Sequence, residues 1–85
     1  MKKGDKIRVK NGTSDPDFKG RDLSGYTGYI EEIYDDGFVC ILWDESALEN
    51  FDDKFIRKCD MKDLDHTRMV LTPDEIDVIQ QGWNQ

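Results

Sequence analysis

Tyr26-Thr27-Gly28-Tyr29-Ile30-Glu31-Glu32-Ile33-Tyr34 is dense in β-branched and aromatic residues, Asp35-Asp36-Gly37 is a tight turn, and Phe38-Val39-Cys40-Ile41-Leu42-Trp43-Asp44 is a return strand. Composition of this kind around an Asp-Gly turn marks an antiparallel hairpin. Ile30 and Ile33 are three apart rather than two, so both reach one face only if the strand bends or bulges between them; Gly28 marks a place where backbones come close. A curved second strand follows. Curvature lets a short sheet hide its edges by closing on itself.

Upstream of the hairpin, Asp5-Lys6-Ile7-Arg8-Val9-Lys10 alternates polar and apolar side chains, which gives a half-buried first strand with Ile7 and Val9 on one face. Between the two lies 11–25, NGTSDPDFKGRDLSG, rich in turn formers and without a period. Connections longer than about 12 residues are uncommon in compact domains and are often functional. This loop, which carries Phe18, is therefore the first place to seek a binding role.

Downstream, Ala47-Leu48-Glu49-Asn50-Phe51 is expected to form a brief fourth strand, and Asp52-Asp53 to cap a short helical turn over Lys54-Phe55-Ile56-Arg57-Lys58. Met69-Val70-Leu71 reads as extended. The segment after it has two readings. As a helix, Thr72 is the cap, Pro73 the first helical residue and Glu75 the third. As a strand, Ile76 and Val78 alternate with Glu75 and Asp77 and pair with the first strand. The strand is preferred, because the barrel needs a fifth strand to close it. The expected architecture is thus mainly β: one domain over residues 1–79, a small five-stranded barrel with a short helical turn before the last strand, followed by a frayed tail at 80–85.

At 85 residues the chain fits one domain with a modest core, so a shallow groove is the realistic ligand site. The net charge of −7 argues against general affinity for nucleic acid. That charge is uneven: residues 1–34 hold seven basic and six acidic groups, residues 35–85 five and thirteen. The lysines of the first strand read as a solvated edge. No apolar run of about 18 residues is present to cross a membrane, and MKKGDKIRVK lacks the apolar stretch of a signal peptide, so a cytoplasmic location is expected. Cys40 and Cys59 are too few for a disulfide scaffold and are not at a metal spacing.

The lysine-bearing strand that opens with Gly4-Asp5, the long loop, Gly25-Tyr26-Thr27-Gly28-Tyr29-Ile30, the hairpin ending in Trp43-Asp44 and the closing Asp74-Glu75-Ile76-Asp77-Val78-Ile79 together resemble bacterial SH3-like barrels. The pattern is similar to Tudor- and KOW-type modules and to the small barrel subunit of ferredoxin–thioredoxin reductase, and stand-alone proteins of mobile gene cassettes are a fitting home. The resemblance implies a fold whose members dock peptides, RNA, modified residues or other subunits. The basic face of RNA-binding KOW modules and an iron–sulfur cysteine cluster are both missing from this chain.

Sites for chemistry are few. His66 stands alone in a polar loop, and Cys40 fills a strand. Cys59 follows two cations that can favour its thiolate, although packing is the simpler role. Asp15 to Asp22 matches a calcium loop poorly, with Lys19 and Tyr26 where ligands belong. Asp60, Asp63, Asp65 and His66 read as a solvated loop. The aromatic residues say more. With Val39 and Ile41 inward, Phe38, Cys40 and Leu42 face outward, and Tyr26, Tyr29, Tyr34 and Trp43 sit at strand ends; some of these rings complete the core. The rest form a docking or dimer patch, or, with Asp44 or Glu45, a Tudor-type cage for a methylated ammonium. The reading is a non-enzymatic interaction module without cofactor or metal, which docks a partner protein or a second copy through Phe18, Tyr26, Tyr29, Tyr34, Phe38, Leu42, Trp43 and Asp44. The acidic half predicts a basic partner surface and salt-sensitive association. The alternatives are an accessory barrel subunit of a larger redox or hydratase-like enzyme and nucleic-acid binding through the first strand.

Overall fold

The computed structural model describes residues 1–18 and 20–80, with the backbone alone at Gln80. Five strands form one antiparallel sheet: β1 (Lys6–Val9), β2 (Thr27–Ile33), β3 (Val39–Trp43), β4 (Arg68–Leu71) and β5 (Ile76–Gln80), in the order β4-β3-β2-β1-β5. β1 to β4 are laid side by side in chain order, and β5 returns to the free side of β1 with Ile7 opposite Val78 and Val9 opposite Ile76. The expected closing strand is present. The sheet is nevertheless open, since β4 and β5 form its two edges with no ladder between them among the described residues.

The hairpin forms as its sequence requires. Gly37 turns at φ +97°, and the Asp36 carboxylate accepts from the Phe38 amide at 3.1 Å. The register shifts between Ile30 and Glu32, so Glu31 is the extra residue of a bulge. Ile30 then lies opposite Ile41 and Ile33 opposite Val39. Ile30 is buried, whereas Ile33 sits at the strand's end and stays exposed. Gly28 is required by contact: a Cβ there would meet the Leu42 carbonyl oxygen at 2.5 Å and Ile41 Cγ2 at 2.9 Å.

Ala47 to Phe51 is not a strand. Asp44 accepts from the Ala47 amide at 3.0 Å and starts a one-turn helix, α1 (Glu45–Leu48), which buries Ala47. A side-chain cap placed three residues ahead of a small apolar residue outweighs the weak strand pattern. The fourth strand is Arg68–Leu71 instead. Asp52 caps α2 (Asp53–Met61) by accepting from Phe55, and the helix runs a turn longer than expected. Both readings of the segment after β4 hold in part. The Glu75 carboxylate accepts from the Thr72 amide at 2.9 Å and the Thr72 hydroxyl at 3.1 Å, capping a single 3-10 turn (Pro73–Glu75) that delivers the chain into β5. The frayed tail expected at 80–85 lies outside the described residues, apart from the Gln80 backbone that ends β5.

The core is Ile7, Val9, Leu23, Ile30, Val39, Ile41, Trp43, Ala47, Leu71 and Ile76. Leu23 comes from the long loop. A bridge between Ser14 and Asp22 and a bond from the Leu23 amide to the Thr13 carbonyl at 2.9 Å pin that loop across the mouth of the core.

Candidate functional site

The loop's most buried acid organises the site. Asp15 Oδ1 accepts from the amides of Asp17 at 2.8 Å and Phe18 at 3.3 Å, a local turn that aims Phe18 at α2. There Phe18 meets Phe55 edge-on, with ring centroids 5.1 Å apart. The contact continues as a row: Phe55 to Phe51 at 5.0 Å, Phe51 to Tyr26 at 6.0 Å, and Tyr26 to Trp43 at 5.5 Å. His66 touches the row at Phe51, at 6.4 Å. These rings come from the loop, the entries to β2 and α2, α2 itself, the end of β3 and the approach to β4. All but Tyr26, which packs behind them, line a surface groove of about 480 Å³ together with Leu64 and Met69.

The charged groups of the groove are engaged within the protein. Arg21 lies over Phe55, its Cζ 3.8 Å from the ring centroid, and 4.9 Å from that of Phe51. Its Nε is 3.7 Å from Asp15 Oδ2. Burial pushes the Asp15 carboxyl above its ordinary value, more than the two amide bonds and Arg21 pull it down. Asp65 is held down at about 2 by the hydroxyl and amide of Thr67 and by Arg68. Arg68 also grips Glu31 with two bonds, at 2.6 and 2.8 Å, which holds that carboxyl down as well.

The eight residues singled out from sequence separate. Phe18 and Trp43 line the groove, and Tyr26 packs against Trp43 and Phe51 without lining it. Tyr29 and Leu42 pair across β2 and β3 on the opposite face, and Tyr34 and Phe38 flank the hairpin turn, exposed. Asp44 is committed to the fold: it caps α1, accepts from Thr27 Oγ1 at 2.5 Å and pairs with Lys6 at 3.1 Å. Burial pushes its carboxyl up, but the bonds from Thr27 and Ala47 and the Lys6 ion pair outweigh that and hold it below the ordinary value. A cage using Asp44 is therefore not assembled. Cys40, expected on the exposed face, is buried at 6% exposure, its Sγ 3.7 Å from Glu31 Oε1. Burial pushes both thiols up, Cys59 included, despite its cationic neighbours in sequence.

Sequence reasoning missed Asp15, Arg21, Phe51 and Phe55. A signal for Phe55 was present: Phe55 and Cys59 are four apart and so share one side of α2, whereas Phe51 lies ahead of the Asp52 cap and carries no such signal. Among the described residues no three metal-binding side chains cluster, and no helix is long and apolar enough to cross a membrane. The chain matches no known protein family, no curated protein and no solved structure.

Proposed function

We propose that this protein is a non-catalytic docking module that holds an apolar segment of a partner protein in the groove between the 11–25 loop and α2. The observation that carries the reading is the row of rings from Trp43 to Phe18, of which Trp43, Phe51, Phe55 and Phe18 line an open groove of about 480 Å³. Its volume falls within the roughly 300–1,000 Å³ of ordinary ligand sites, and rings are the side chains that dominate recognition surfaces. The groove's thiols are pushed up, Arg68 bonds to Glu31 and Asp65, and Asp15 Oδ1 accepts from two backbone amides, which favours binding over catalysis. The meander of β1 to β4 with β5 returned to β1 supports an SH3-like barrel left open at one seam. The test is capture from the native cell by wild type, Leu64→Glu in the groove and Tyr34→Glu on the hairpin. A partner lost only with Leu64→Glu supports the reading; one lost only with Tyr34→Glu, or with neither, overturns it.

Exposed Ile33, Tyr34, Phe38 and Val70 at the hairpin end favour a second reading, self-association through that patch. Sizing in solution tests it: a dimer that Phe38→Glu converts to monomer supports this reading, and a wild-type monomer at high concentration removes it.

A further inference from the structure

Arg21 is poorly satisfied for a side chain only 22% exposed. An arginine carries five N–H donors. Among the described residues its one hydrogen bond is a 3.5 Å contact with the Tyr26 hydroxyl, and its Nε is closed to solvent with no hydrogen-bond partner. Asp15 Oδ2, at 3.7 Å, is likewise unpartnered. Stacking on Phe55 and Phe51 nonetheless holds the guanidinium in place, the arrangement in which arginine recognises planar or multi-oxygen anions.

Arg21 also lines a second cleft of about 680 Å³, with Phe18, Phe55, Lys54, Lys58 and Lys62. The three lysines recur every four residues along one side of α2 and its C-cap. The Lys62 ammonium lies 4.8 Å over the Phe18 ring and donates to the Asp17 carbonyl at 3.4 Å. Among the described residues none of these lysines lies within ion-pair distance of a carboxylate, whereas Lys3, Lys6, Lys10 and Arg68 all do. The carboxylates on the cleft wall, Asp17 and Asp52, are outnumbered by four cations. In a chain of net charge −7 such a concentration is a local construction.

We propose that this cleft is an oxyanion site for the phosphate monoester of a phosphorylated side chain. The phosphate is carried on the partner segment that occupies the adjoining groove, and in that respect the inference rests on the docking reading. A phosphate offers three acceptor oxygens and a charge of about −1.5 to −2, which suits one immobilised guanidinium in a cleft also lined by three lysines better than a carboxylate does. A polyanion such as nucleic acid is repelled by the rest of the acidic surface, and a compact dianion is not held off in the same way.

The experiment is a titration of the ¹⁵N-labelled full chain with phenyl phosphate, against sodium chloride at equal ionic strength, following the Arg21 Nε–H signal and the amides of 52–62. Saturable shifts with phenyl phosphate are expected, weakened about tenfold or more when Lys58→Glu and Lys62→Glu are combined, since two charge-assisted contacts are then reversed in sign. Both lysines are exposed, and an unchanged Trp43 indole signal shows that the double variant is folded. Shifts that chloride reproduces, or that the double variant leaves intact, mean an adventitious ion only and overturn the proposal. A second arm uses acetyl-Leu-Leu-phosphoserine-Leu-Leu and its unphosphorylated form. Tighter binding of the phosphorylated peptide supports the whole proposal. Equal binding of the two overturns the phosphate site while sparing the docking reading. Saturation by phenyl phosphate with neither peptide binding keeps the anion site and removes the partner segment. Tighter binding to a DNA oligonucleotide than to the phosphopeptide overturns the assignment.

Discussion

Single side chains carry sharply different shares of this fold. Gly28 lies under the Leu42 carbonyl with no room for a methyl group. Gly28→Ala is expected to cost about 2–4 kcal/mol, because the clash is with backbone that cannot rotate away; a urea midpoint close to wild type would refute this. Asp65 gives a pH signature. Its carboxyl is held at about 2 against an ordinary 3.8. A carboxyl whose folded value is depressed stabilises the protein above its unfolded value, and that contribution disappears as pH falls toward the folded one. Asp65→Asn is therefore expected to be less stable than wild type at pH 7, with the gap closing between about pH 4 and pH 2; a gap independent of pH would contradict the assignment. Asp15 works in the other direction. Its raised carboxyl favours the folded state as pH falls, so it tempers the acid sensitivity that Asp65, Glu31 and Asp44 confer.

At the level of elements, legibility tracked how local the determining interactions are. The hairpin, the bulge after Ile30 and the close approach at Gly28 were all readable, because turn chemistry and strand spacing lie within a few residues. The stretch 47–51 misled, because its fate is decided by the Asp44 side chain outside it. The segment 72–79 looked ambiguous because it is two elements, a capped turn and then a strand. Glu75→Ala removes the cap that steers β5 and is expected to cost about 1 kcal/mol with an unchanged denaturant slope. The groove was half legible: Phe18 and Trp43 could be selected as candidates, but only the packing of α2 shows that Phe51 and Phe55 join them while Tyr29 and Phe38 do not. Phe55→Ala removes a ring in contact with Phe18, Phe51 and Arg21, and a loss of about 2–3 kcal/mol is expected for this half-buried site; a change below about 0.5 kcal/mol would mean that the row of rings adds little to stability.

For the molecule as a whole, the excess of negative charge opposes compaction. Urea midpoints are expected to rise as sodium chloride increases from low to physiological concentration, since the repulsion is screened more than the short Arg68 ion pairs; a fall would mean that those pairs dominate. The return of β5 to β1 also sets an order of events during synthesis. Residues 10–75 lie between the two strands, so β1 to β4 can leave the ribosome and pair as a meander while the outer side of β1 still has no neighbour. Until 75–80 arrive, the outer side of β1, where the Lys10 amide finally donates to the Glu75 carbonyl at 2.8 Å, is an open template that any extended chain can join. The nascent protein is thus most prone to aggregation in the interval before its last strand is made, and the lysines at 6 and 10 that border this edge are its early protection.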